Sequence, residues 1–259
     1  MNADQQDQLR QSQLNKALSA LEVPQDALHL GASDLDARAA RQLERLTDLR
    51  AQLRAKAWAQ AQRLADALGA DTLDPLPDLS AEVAQLTASG RQLERGEAQR
   101  ALELLAGVQL PLLRAETETQ RGTALVFLGD PEAAVRAFKE AVSLDPRHYR
   151  ALTNLGNMAL EQGETDEAIT HYKAALKLNE NFANAHHNLG VAYRRKGEIN
   201  KSVAAIRRGQ RVSKQQDREE ARAVLKTFGG AQRGKSLRWL LYALAAAGVF
   251  LLLRAQGVF

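Results

Sequence analysis

The chain contains no cysteine, and that single absence removes disulfides, thiolate zinc sites and cysteine nucleophiles together. Proline is scarce, with six residues, and aromatic residues make up only 5%. The strict apolar–polar alternation of strands is almost missing, so 259 residues at 45% hydrophobic read as an all-α chain long enough to bury a large core. Histidine is also sparse: His29, His148, His171, His186 and His187 never stand at metal-binding helical spacing with a carboxylate partner, and adjacent helical residues such as His186 and His187 point in different directions. No catalytic residue, metal site or cofactor is expected. The amino terminus, Met1-Asn2-Ala3-Asp4-Gln5, has no basic region leading into an apolar stretch, so no secretory signal is expected.

What the sequence does hold is a repeat. Gly122, Gly156 and Gly190 are 34 residues apart, and a second series, Gly129, Gly163 and Gly197, keeps the same period. Leu155-Gly156 with Ala168, Tyr172 and Ala175 aligns with Leu189-Gly190 and Tyr193, and with Gly122, Ala134, Phe138, Ala141 and Pro146. Each unit offers two apolar runs at helical spacing, such as Leu152, Leu155 and Ala159, then Ala168, Tyr172, Ala175 and Leu176, parted by Gly-Asp or Gly-Glu. Small residues at Gly156 and Ala168 predict close approach of the two helices, with Tyr172 and Phe138 filling the space between successive hairpins. Two short helices bury too little surface alone, so the units must stack into a solenoid.

This pattern resembles the tetratricopeptide repeat. The register gives three units, 115–148, 149–182 and 183–216, preceded by a degenerate unit at 81–114, where Gly96-Glu97 and Ala101, Leu102 and Leu105 copy the second half but Ser89 stands near the expected glycine. The resemblance implies a concave groove lined by the first helix of each unit, with repeated amides at Gln120, Asn154 and Asn188 able to pair with the backbone of an extended peptide. Arg150, Asn157, Asn184, Arg194 and Arg195 would line the same face, the arginines offering charge to acidic groups. In relatives that clamp chaperone termini the clamp needs two lysines, an arginine and two asparagines; here those positions hold Thr119, Thr123, Asn154, Asn184 and Asn188, and only Asn154 fits. A chaperone-tail adaptor of that type is therefore not expected.

The flanks differ. Residues 1–33 read as a weakly helical arm, and 34–70 as one long amphipathic helix, or two with a bend, from Ser33-Asp34 to Gly69, carrying Leu35, Leu43, Leu46, Leu49, Leu53, Trp58, Leu64 and Leu68. That helix, over 34–68, would pair with a second copy as a homo-oligomer or pack back on the degenerate unit; Arg50 and Gln60 spoil a strict heptad seam. Residues 71–80, with Pro75 and Pro77, form a linker. After the repeats, 217–228 reads as a helix capping the array, and 229–236 as a basic hinge. That hinge matches the phosphate-loop pattern from Gly229 to Lys235-Ser236, but it lacks the preceding strand and the sheet the chemistry needs.

The run 237–253 is interrupted only by Arg238. Trp239, Leu240, Leu241, Tyr242, Leu244, Phe250, Leu251, Leu252 and Leu253 predict a transmembrane helix of roughly 25 Å at about 1.5 Å per residue. Its Leu, Val and Phe side chains contribute roughly −3 to −5 kcal/mol to insertion. Between Arg207 and Arg238 ten Lys/Arg face three acids, so the positive-inside bias predicts a single-pass membrane protein with the repeats facing the cytoplasm, in the manner of a tail anchor. The basic clusters Arg194-Arg195-Lys196 and Arg207-Arg208 carry no interleaved aromatics, and nucleic acid is not an expected partner. The reading is a membrane-anchored scaffold that binds a protein or peptide partner beside the lipid. Two alternatives are a soluble oligomeric adaptor whose last helix is a packing element, and a structural subunit of a larger membrane complex.

Overall fold

The computed structural model describes residues 37–69 and 78–232, with side chains for 44–69, 78–219, 221 and 222. Among these residues there are ten α-helices and no strand: α1 (Ala37–Arg54), α2 (Trp58–Gly69), α3 (Leu79–Glu94), α4 (Ala98–Leu105), α5 (Arg114–Phe127), α6 (Pro131–Leu144), α7 (Tyr149–Glu161), α8 (Thr165–Leu178), α9 (Ala183–Arg195) and α10 (Ile199–Gln232). They pair in order as five hairpins, and each hairpin packs against the next. Start signals act locally. Asp130 accepts from the backbone N–H of Ala133 at 2.9 Å, with Pro131 in the first turn where its missing N–H costs nothing.

One turn geometry closes all five hairpins. Gly96, Gly129, Gly163 and Gly197 have φ between +80° and +86°, the left-handed conformation that glycine adopts without a Cβ penalty. In each case the following residue donates its N–H five residues back, as Asp130 does to Leu125 O (3.0 Å) and Glu164 to Ala159 O (2.8 Å), the pattern that ends a helix. The turn after α1 repeats it with Lys56 at φ 55° and Ala57 N donating to Gln52 O at 2.9 Å. Of the two expectations for 34–70, one long helix or two with a bend, the structure shows two, folded back as a hairpin. The break is invisible in composition because Lys56 holds the place of the glycine.

The same register positions the core. Five residues after each turn residue stands a small buried side chain: Ala61, Ala101, Ala134, Ala168 and Ser202, none more than 3% exposed. Seven before the turn and nine after it, the pair is complementary in volume. A Cβ on Gly156 would lie 2.6 Å from Tyr172 Cε1, one on Gly122 2.5 Å from Phe138 Cε1, and one on Gly190 2.5 Å from Ile206 Cγ1. Each ring thus sits in the notch of its own hairpin's glycine and, as expected, also packs against the next hairpin, Phe138 with Leu155 and Met158. Tyr172 also joins Leu189 and Ala192 of the next hairpin in one buried cluster.

The amino-terminal hairpin buries its apolar stripe within the chain. Leu46, Leu49, Leu53, Ala61, Ala65 and Leu68 share a core with Leu79, Val83, Leu86, Leu105, Leu112 and Leu113. Of the two expectations for 34–68, packing back on the degenerate unit is what the structure shows; these residues are not a free seam for a second copy.

At the other end α10 runs 34 residues without a break. A separate capping helix at 217–228 and a hinge beginning at Gly229 do not form: the second helix of the last unit simply continues, and Gly229 to Gln232 remain helical. Helical geometry there is also incompatible with a phosphate loop, whose first glycine must precede the helix. No described helix is long and apolar enough to cross a membrane. The arm 1–33, most of the linker and the run 237–253 lie outside the described residues.

Candidate functional site

The concave face carries a buried polar network built from α5 and the start of α7. Arg150 Nη1 donates to Glu116 Oε1 at 3.1 Å and Oε2 at 3.2 Å. His148 Nδ1 accepts from Ala151 N at 3.3 Å, which puts the ring proton on Nε2, 3.1 Å from Glu116 Oε2. Gln120 Nε2 donates to Glu116 Oε1 at 3.1 Å. Burial by itself would raise the Glu116 carboxyl, but Arg150, His148 and Gln120 outweigh it and hold it below the ordinary carboxylate range.

The turn after α1 is clamped onto this network across the groove. Arg54 Nη1 donates to Asp145 Oδ2 at 2.9 Å, Tyr149 Oη donates to the Arg54 carbonyl at 2.9 Å, and Arg150 Nη1 also reaches Leu53 O at 3.3 Å. Partial burial, with Arg150 nearby, pulls the Lys56 ammonium below its ordinary value against the opposing pull of Glu94 and Glu116.

Beside this clamp opens a polar chamber of about 700 Å³. Its floor is Tyr149, Arg150, Thr153, Asn154 and Asn157 of α7, one wall is Asn184 and Asn188 of α9 with Asn179 and Asn181 from the preceding loop, and Ala55-Lys56 and Gln216-Glu219 close the ends. Asn157 Oδ1 accepts from Tyr172 Oη at 2.8 Å and from Asn188 Nδ2 at 2.8 Å, which fixes both amides. The side chains of Asn154 and Asn184 make no hydrogen bond among the described residues. Tyr149 and Phe182 meet edge to face, with ring centroids 4.9 Å apart and planes at 67°, and give the chamber its one aromatic corner.

The structure thus brings together five of the eight residues expected in the groove: Arg150, Asn154, Asn157, Asn184 and Asn188. Gln120 is not among them. It is 2% exposed and bound to Glu116, because the turn and Trp58 of the first hairpin cover this part of the concave face; a Cβ on Gly90 would lie 3.1 Å from Trp58 Cζ2 and 3.8 Å from Gln120 Nε2. Arg194 and Arg195 stand at the carboxyl end of α9, away from the chamber, and Arg195 Nη1 donates to Leu160 O at 2.6 Å. Arg150 is consumed by Glu116. The cations expected to receive acidic groups are therefore not free in the chamber, and neutral amides dominate it.

Sequence reasoning passed over Asn179, Asn181, Phe182, Lys56 and the Gln216–Glu219 wall. The period carried a signal for two of them: Asn179 and Phe182 stand 34 residues after Asp145 and His148. Lys56 and Gln216 arrive only through the superhelical path. Among the described residues no cluster of His, Asp or Glu could hold a metal ion.

Residues 128–170, 156–197 and 183–216 match the models of the tetratricopeptide repeat, so the part of the chain over 128–216 carries tetratricopeptide repeats. No curated protein matches the sequence. Solved structures similar to it include a crystal structure of MamA, at 23% identity and TM-score 0.45 over 62% of this chain and 91% of that one. YrrB, described as a tetratricopeptide protein with an unusual peptide-binding site, is similar at 21% identity and TM-score 0.41 over 65% of this chain and 84% of that one. The second repeat domain of Spaghetti (RPAP3), bound to an HSP90 peptide, is similar at 19% identity and TM-score 0.37 over 38% of this chain and 92% of that one.

Proposed function

We propose that this chain is a membrane-anchored tetratricopeptide scaffold that captures an extended segment of a partner protein in the amide-lined chamber. The observation that carries the reading is the set of six asparagines around one opening, of which Asn154 and Asn184 are unpaired among the described residues. An amide offers a donor and an acceptor, so a row of them matches a peptide backbone without reading its side chains. The Glu116 network supplies rigidity rather than charge for the ligand. With Arg150 neutralised by Glu116, the chamber favours polar or neutral segments over strongly acidic ones.

Anchoring rests on the run 237–253 and on the basic excess before it, which orients the repeats toward the cytoplasm. Two measurements test the whole reading. A photo-crosslinking residue placed at Asn154 should trap a protein partner in isolated membranes, and the same residue at Lys177, on the outer helix α8, should not; adducts confined to Lys177 would move the site to the convex face. The full chain should resist alkaline carbonate extraction while a chain ending at Ser236 is released. Extraction of both would favour the soluble adaptor.

A further inference from the structure

α10 carries a charge pattern that the repeat architecture does not use. Arg207, Arg211, Lys214, Arg218 and Arg222 are all exposed, and none makes an ion pair or hydrogen bond among the described residues. At about 100° per residue they share one narrow arc of the helix. The residues α10 buries against α9, namely Ser202, Gly209 and Val212 with half-buried Ala205 and Ile206, cluster on the opposite side. Asp217, Glu219 and Glu220 fall outside the cationic arc. The result is an outward stripe of five positive charges over roughly 22 Å, at about 1.5 Å rise per residue.

We infer that this stripe lies flat on an anionic lipid surface, holding α10 in the plane of the headgroups. The inference rests on the anchored reading above and adds a partner and an orientation to it. Two observations select lipid, and the reach of the surface field sets the orientation. α10 continues to Gln232, close in sequence to the apolar run at 237. The stripe holds no apolar or aromatic residue, so it suits a charged layer that it rests on rather than a bilayer it inserts into or a protein interface with buried aromatic anchors. A helix standing upright would lift Arg207 and Arg211 beyond the reach of the surface field, which falls off within about 10 Å at moderate salt. The opposite side of the same helix bears Gln216, whose Nε2 donates to Asn181 O at 3.1 Å, and closes the chamber. A helix lying on its cationic face therefore turns the chamber away from the membrane, toward partners.

The test uses the full chain with the apolar run disabled by Leu244→Arg and Leu252→Arg, so that only surface attraction remains. Each cation near an anionic surface changes partition about fivefold. The disabled chain should sediment with vesicles of phosphatidylcholine and phosphatidylglycerol and not with phosphatidylcholine alone. Adding R207Q, R211Q, K214Q and R218Q should weaken that binding on the order of a hundredfold or more, with circular dichroism unchanged because the four positions are exposed. Binding that ignores phosphatidylglycerol, or that survives the four substitutions, overturns the inference. So does a chain that prefers a DNA duplex to the anionic vesicles, which would assign the stripe to nucleic acid. Failure of the anchor itself shows separately, as carbonate extraction of the chain with its apolar run intact.

Discussion

Arg150 stands one repeat after Glu116, 34 residues on, and donates from Nη1 to both of its carboxylate oxygens at 3.1 and 3.2 Å. The same position of successive units is thus occupied by opposite charges that meet across the stack. Because Glu116 is 3% exposed, the pair is a fixed element of the concave face rather than a solvated surface contact.

Glu116→Gln should destabilise the fold by about 3 kcal/mol, the lower end for breaking a buried ion pair. The pH dependence has a definite sign. The folded-state carboxyl is held below its ordinary 4.5, so its contribution is fully present above the ordinary value and disappears as pH falls through the depressed one. Thermal unfolding followed from neutral to acidic pH should show a shallower acid limb in the variant; an identical limb would mean that Glu116 does not supply it.

Gly156→Ala should lower stability although alanine favours helices by about 1 kcal/mol. The new Cβ would meet Tyr172 Cε1 at 2.6 Å and Cδ1 at 2.9 Å, and the ring is fully buried, so overpacking of about 1–3 kcal/mol dominates. In urea titrations Gly156→Ala should cost less when combined with Tyr172→Leu than it does alone. Strict additivity would show that the two positions do not share the space.

Lys56→Gly should stabilise the amino-terminal hairpin by about 1 kcal/mol, because a left-handed φ costs a side-chain residue roughly that much and glycine nothing. The contact given up is weak: Lys56 Nζ lies 3.8 Å from Glu94 Oε1, with the side chains 44% and 59% exposed. A higher melting temperature is the expected result, and a lower one would mean that the ammonium contributes more than its geometry indicates.

Asn157→Ala and Asn154→Ala should separate structure from binding. Asn157 Oδ1 satisfies Tyr172 Oη, so its loss should cost about 1–3 kcal/mol by orphaning a buried hydroxyl. Asn154 has no partner among the described residues, and its removal should leave stability within about 0.5 kcal/mol. Crosslinking to the partner, reported from Asn184, should fall in Asn154→Ala; undiminished crosslinking would place the recognised segment elsewhere.

The solenoid was legible because its cause is periodic. Glycine at 129, 163 and 197 marks a turn that only a left-handed residue can make, and glycine at 122, 156 and 190 marks a notch for the ring or branched chain opposite. Where the chain solves the same problem with another residue, the period goes silent. Lys56 makes the glycine turn, and Leu49 with Ala65 occupies the notch positions with large and small exchanged. The first hairpin consequently read as one long helix or a bent pair, with nothing to mark a reversal of the chain. The end of α10 failed for the opposite reason: the repeat register ends at 216 and the amphipathic run beyond it read as a separate cap, but nothing there breaks helical geometry.

From the sequence alone come the helical class, the 34-residue period, the turn positions and the identity of the amides at 154 and 188, since each follows from local backbone preference or side-chain spacing. The tertiary structure alone decides which of those polar residues are available. Superhelical stacking brings Leu53, Arg54 and Lys56 against residues 145–150, buries Gln120, commits Arg150 to Glu116, and leaves Asn154 and Asn184 open, because contacts between residues some 95 positions apart depend on the accumulated path of every hairpin between them.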